Sequence, residues 1–256
     1  MIRSLIHTIE HQCTAYYQPI VELDTGRVVG FESLTRIRDD NGAVSSPGAF
    51  IDEIEGDIDT LTALVRQILC AIAHDMVPLF ERYPDFYVSV NIPPAILGTR
   101  RGIDIIKDLH LAPYIRRLVV EVTERQSLTI AGSAALEWAS ANGIRIAIDD
   151  FGTGNSGISQ IAGLDLDILK IDHALVAPVL TSRASARMLR GIVALASALH
   201  MHTIAEGVET WEQAFFMRAA GVDYGQGWYW SRALPAGDVE KALNTGFANE
   251  TAPPEP

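Results

Sequence analysis

Asp149 and Asp150 stand side by side at the end of a short apolar run, Arg145-Ile146-Ala147-Ile148, and the glycine-punctuated stretch Phe151-Gly152-Thr153-Gly154 follows them. Burying one carboxylate is costly, and two adjacent ones repel unless a cation or a shared proton relieves them. An apolar strand tipped with Asp-Asp is therefore consistent with a divalent-metal site at the mouth of an α/β fold. Asp is equally at home as a turn residue or a helix cap. The pair alone leaves both readings open.

Other groups able to do chemistry recur where predicted strands end. They are Glu32; Asn91; Glu121 and Glu124; Lys170 and Asp172; Glu206 and Glu209; and Gln226. All the potential metal-binding atoms are carboxylate or amide oxygens, a hard donor set that selects Mg²⁺ or Mn²⁺ over zinc. Adjacent aspartates make two ions plausible, activating a water and clamping a phosphoryl group. Lys170 and Asp172 are two apart on one strand and so share a face. A lysine among carboxylates can orient a water or stabilise transition-state charge; as a plain interior salt bridge it would leave most of these acids unneutralised.

The elements that must carry these residues alternate. Strands are predicted at 15–23, 27–37, 86–92, 118–123, 144–150, 166–171, 203–206 and near 224–230. Helices are predicted at 4–14, over most of 49–80 as two pieces, and at 103–109, 132–142, 185–200, 211–220 and 236–243, with 38–47 a loop. Alternation of this kind implies a mostly parallel sheet with helices outside, and eight strands in 256 residues favour a closed (β/α)₈ barrel. Only Asp24-Thr25-Gly26 separates the first two strands, which predicts a hairpin and hence one strand running against the rest. The expected organisation is a leading helix at 1–14, a barrel at 15–247 and a disordered tail at 248–256.

A net charge of −12 argues against a nucleic-acid polymer as partner, since polyanions need basic neutralisation. A small phosphate ligand stays compatible if metal ions screen the acids locally. Two cysteines without CxxC spacing imply a reducing compartment. Residues 1–12 fit neither a secretory signal nor a membrane span, so a cytoplasmic protein without a membrane segment is expected.

Several ordered motifs carry a resemblance. Tyr17-Gln18-Pro19-Ile20-Val21, Gly30-Phe31-Glu32-Ser33-Leu34-Thr35-Arg36, Val90-Asn91, Glu121-Val122-Thr123-Glu124, Asp149 to Gly154, Leu169-Lys170-Ile171-Asp172, Ala205-Glu206-Gly207-Val208-Glu209-Thr210 and Gly225-Gln226-Gly227 occur in this order. Together they closely resemble the EAL-domain family of cyclic di-GMP phosphodiesterases, over roughly residues 15 to 245. The resemblance implies a modified TIM barrel with one antiparallel strand and hydrolysis of cyclic di-GMP to linear pGpG. It makes Glu32, Asn91, Glu121 and Asp149 metal ligands, with Asp150 serving a second ion. Lys170 and Glu206 would complete the site around the attacking water, and Glu124 would support the loop after Asp150. Arg36 would contact a phosphate, Gln18 and Gln226 would lie along the dinucleotide, and Leu34, Asp172 and Glu209 would fall on the substrate side. A homodimer is also implied; whether the chain stands alone or works with a regulatory domain or partner outside it is left open.

The chain departs from the family pattern in three places. The signature reads Glu-Ser-Leu rather than Glu-Ala-Leu, which leaves Glu32 and Leu34 in place. Asn155-Ser156-Gly157-Ile158 replaces the usual Tyr-Ser-Ser-Leu, where Gly157 adds backbone freedom. Asp52-Glu53-Ile54-Glu55-Gly56-Asp57 replaces a Glu-Glu-Thr-Gly run near the substrate entrance. The rival expectation is a non-catalytic receptor for cyclic di-GMP, or an interaction module, on the same scaffold.

Overall fold

In the computed structural model, which describes residues 2–39, 41–54, 56–123, 130–151 and 165–247, the turn at 24–26 does what its Gly requires. Gly26 takes φ 74°, and β1 (Cys13–Glu22) folds back antiparallel on β2 (Val28–Arg38) with Gln18 opposite Glu32. From β2 the strands continue in parallel through β4 (Tyr87–Asn91), β5 (Leu118–Thr123), β6 (Arg145–Phe151), β7 (Ile168–Ile171), β8 (His202–Ala205) and β9 (Tyr224–Gly225). β9 then pairs antiparallel with β1 and closes an eight-stranded barrel in which β1 alone opposes the others. The expected fold class, with its one antiparallel strand, is the observed one.

Helices cover the barrel: α1 (Ile2–Gln12), α2 (Gly48–Ile54), α3 (Ile58–Arg82), α4 (Arg100–Asp108), α5 (Ile130–Ala141), α6 (His173–Val176), α7 (Arg183–Ala198), α8 (Trp211–Ala219) and α9 (Ala236–Thr245). Local chemistry starts several of them. Asp57 accepts from the Asp59 and Thr60 amides at the head of α3, Ser182 caps α7, and Thr210 with Gln213 forms a capping box on α8. Among the described helices, α3 is the one long and apolar enough to cross a membrane. Here it buries Leu64, Val65, Ile68, Leu69, Ile72 and Met76 in the core.

Several boundaries differ from expectation, three of them for a visible structural reason. The leading helix stops at Gln12, because Cys13 and Thr14 join the β ladder opposite Ile37 and Arg36. The 38–47 loop contains a two-residue strand, β3 (Val44–Ser45), paired with Ile37 and Arg38. The last strand is cut to Tyr224–Gly225, because at Gly227 the chain passes so close to Val208 that a Cβ would lie 2.0 Å from its carbonyl oxygen.

Strand alternation stacks the barrel interior in layers. Ile20, Val29, Tyr87, Val119, Ala147, Ile168 and Ile204 form an apolar layer. The Tyr87 ring lies over Gly30, where an added Cβ would come within 2.7 Å of it. Two residues further along their strands come Ser89, Glu121, Asp149, Lys170 and Glu206.

Candidate active site

Lys170 is fully buried at the centre of the upper layer. Its Nζ lies 2.7 Å from Glu206 Oε1, 2.8 Å from Glu121 Oε2, 3.2 Å from Asp149 Oδ1 and 3.6 Å from Glu32 Oε2. Burial alone would lower the lysine pKa; the surrounding carboxylates, Glu121 and Glu206 foremost, outweigh it and hold the ammonium well above its ordinary value. One ammonium cannot balance four acids. Burial, reinforced by Glu32 and Asp149, keeps Glu121 well above the usual carboxylate range in spite of Lys170. Burial likewise pushes Glu206 up to about 8, with the charges of Asp149 and Glu32 adding to it against the pull of Lys170.

Asp149 and Asp150 pose a geometric problem, since neighbours on a strand face opposite ways. A register irregularity solves it: Ile148 pairs with Leu169 but Phe151 with Ile171, so β6 carries one extra residue. Asp150 takes up the slack in the left-handed region at φ 58°, a conformation Asp tolerates better than most residues. Its amide donates to Asp149 Oδ1 at 2.9 Å. Oxygens of Asp149, Asp150 and Glu206 consequently lie within 4.8 Å of one another. Burial, then Asp149 and Asp172, raise the Asp150 carboxyl.

This donor set suits a hard divalent cation. Three carboxylates converge, and Glu121 Oε1 is buried with no hydrogen-bond partner. Asp149, Asp150 and Glu206 would hold such an ion, with Glu121 and Glu32 adjoining.

Glu32 and Gln226, 194 residues apart in sequence, meet where Gln226 Nε2 donates to Glu32 Oε2 at 2.5 Å. The same amide donates to Gln18 Oε1 at 3.3 Å, and Gln18 Nε2 donates to the Ser231 carbonyl at 3.2 Å. Gln18, Glu32, Leu34, Glu206, Glu209 and Gln226 line one lobe of the mouth, of about 410 Å³. Leu34 also lines a second lobe of about 350 Å³ that holds Arg36 and Asn91. Arg36 is half-buried and donates to the Thr35 carbonyl; burial lowers its pKa while Glu32 supports its charge. Asn91 lies beside Glu121 across the β4–β5 ladder. Asp172 spends one oxygen capping α6 through the Ala174 amide at 2.8 Å. Glu124 and the Asn155–Gly157 departure fall outside the described residues.

Sequence reasoning passed over three residues that the fold brings here. Ser89 shares the upper layer, a position its two-residue spacing from Asn91 would have indicated. His173 and Trp228 line the first lobe. Trp228 is 58% exposed and carries the Arg232 guanidinium 3.8 Å above its ring. Its only sequence signal is its place two residues after Gln226.

A family model described as the EAL domain matches residues 2–233. The chain belongs to the EAL domain family. Among curated relatives, it is 34% identical over 229 residues to the probable cyclic di-GMP phosphodiesterase PdeB of Escherichia coli K12, covering 87% of this chain and 43% of that protein. It is 36% identical over 235 residues to the probable cyclic di-GMP phosphodiesterase PdeN of the same organism, covering 90% and 45%. The chain thus spans less than half the length of these relatives. Among solved structures, the EAL enzyme Bd1971 bound to cAMP and cyclic di-GMP superposes with a TM-score of 0.84 at 28% identity, covering 94% of this chain and 67% of that one. The PaMucR phosphodiesterase in complex with c-di-GMP gives 0.83 at 28%, covering 93% and 98%.

Proposed function

We propose that this EAL domain hydrolyses one phosphodiester bond of cyclic di-GMP, releasing linear pGpG, with two Mg²⁺ or Mn²⁺ ions as cofactors. The observation that carries the reading is the buried ammonium of Lys170 ringed by Glu32, Glu121, Asp149 and Glu206. Such a cluster gains from added positive charge and from a water to orient. Divalent ions bound there would supply Lewis acidity and lower the pKa of a coordinated water.

The side chains divide the remaining work. Glu32, Asn91, Glu121, Asp149 and Asp150 act as metal ligands in this reading, and Glu206, besides reaching an ion, joins Lys170 in positioning the attacking water. Gln226 fixes the Glu32 carboxylate by its 2.5 Å bond. Leu34 lines both lobes, and a dinucleotide would extend across the two. Arg36 contributes a cation for a phosphate in one lobe, and the exposed face of Trp228 an aromatic platform in the other. Gln18, Asp172 and Glu209 belong to the substrate side, and Glu124 supports the loop after Asp150. The reading includes a homodimer, implied by the family resemblance, and a cytoplasmic setting, supported by two cysteines without CxxC spacing.

The test is turnover of cyclic di-GMP by purified protein with Mg²⁺ or Mn²⁺, resolving pGpG by chromatography. Glu32→Ala should abolish it, because the variant lacks a metal ligand. Tight binding of cyclic di-GMP without any turnover in the parent protein would instead assign the chain to the non-catalytic receptors.

A further inference from the structure

Away from the barrel mouth, the outer face of α1 carries two histidines. His7 and His11 lie one turn apart on this helix, with ring centroids 4.3 Å apart and planes inclined at 55°. The opposite face is committed to the core, with Ile9 fully buried and Leu5 packed on the same cluster. That anchoring turns both imidazoles outward, and both are exposed. Glu10, three residues after His7 and next to His11, is exposed as well.

We propose that His7 and His11 form a chelating site for a borderline transition-metal cation, Zn²⁺ or Ni²⁺, distinct from the oxygen-lined site at the barrel mouth. Residues four apart on a helix are neighbours, and imidazole nitrogens select this class of metal as carboxylates select Mg²⁺ or Mn²⁺. A Zn–N bond of about 2.0–2.1 Å asks two nitrogens to approach to roughly 3–3.5 Å, within rotamer reach of rings already this close. Water fills the remaining positions. The order His-x-x-Glu-His is that of a known zinc-hydrolase motif. On the outer face of the helix the site is a metal-binding one, and no substrate is assigned to it. Its consequence is mechanical: α1 passes without a loop into β1, the strand that carries Gln18, so a cation bridging the two rings pins the helix that feeds this strand.

The test is calorimetric titration of the full chain, free of any affinity tag, with Zn²⁺ in saturating Mg²⁺. His7→Ala and His11→Ala are compared with the parent, and Glu206→Gln serves as the control for the barrel mouth. One Zn²⁺ equivalent should weaken by at least about ten-fold in each histidine variant, the lower end of what losing even a supporting contact costs a metal site. It should persist in Glu206→Gln. Zn²⁺ should also slow amide exchange across α1 in the parent and in neither histidine variant. A smaller loss of affinity in either variant, or α1 exchange that ignores Zn²⁺ in the parent, overturns the proposal.

Discussion

Two layers of one barrel, about 6.6 Å apart by strand rise, follow opposite rules. Below, Val119, Ala147, Ile168 and Ile204 fill the axis with apolar volume. Two residues further along the same strands, Glu121, Asp149, Lys170 and Glu206 fill it with charge. Each strand changes character within a single period of its alternation. The lower layer stabilises the fold, and the upper one is held together against its own repulsion by Lys170. This barrel concentrates its electrostatic strain in one plane and supports that plane on a packed floor.

The two layers should respond oppositely to substitution. In the upper layer, Glu121→Gln keeps the side-chain shape while removing one negative charge. Turnover of cyclic di-GMP should fall by on the order of 10²-fold or more, while the metal-free protein should melt at a higher temperature than the parent. A lower melting temperature would mean that the carboxylate ring is not repulsive. In the lower layer, Ile204→Ala should do the reverse. It should cost about 2–5 kcal/mol of stability in denaturant titrations, with turnover per folded molecule changed far less than in Glu121→Gln. Equal loss of turnover in the two variants would erase the distinction between the layers.

The smallest effect lies outside both layers, in the apolar shell between barrel and helices. Cys13, buried at the start of β1, has its thiol pushed up to about 11 by burial, whereas Cys70 is exposed on α3. A thiol whose folded pKa is raised contributes stability that is fully present below its unfolded pKa and is lost as pH rises towards 11. At pH 8 iodoacetamide should therefore modify Cys70 and spare Cys13, read by peptide mass spectrometry. Comparable labelling of both would place Cys13 outside the packed shell.

Much of this design was legible in the chain. The alternation Val119-x-Glu121, Ile168-x-Lys170 and Ile204-x-Glu206 shows which side chains share a face, because a strand's period of two is local. The turn at Asp24-Thr25-Gly26 announced the antiparallel strand for the same reason. Where non-local pairing competes with local preference, prediction failed. Cys13 and Thr14 leave a helical pattern for the ladder with Ile37 and Arg36, and β3 exists only because Ile37 and Arg38 offer it an edge.

The residue types of the site, the strand ends that bear them and the family motifs they spell are all written in the chain. Tertiary structure alone decided how they meet. Gln226 reaches Glu32 because the barrel closes through β1, and Asp150 joins Asp149 on one side because β6 carries an extra residue opposite β7. Trp228 comes to the mouth because the chain turns at Gly227 against Val208. Each is a contact between segments distant along the chain, and no local periodicity encodes such closures.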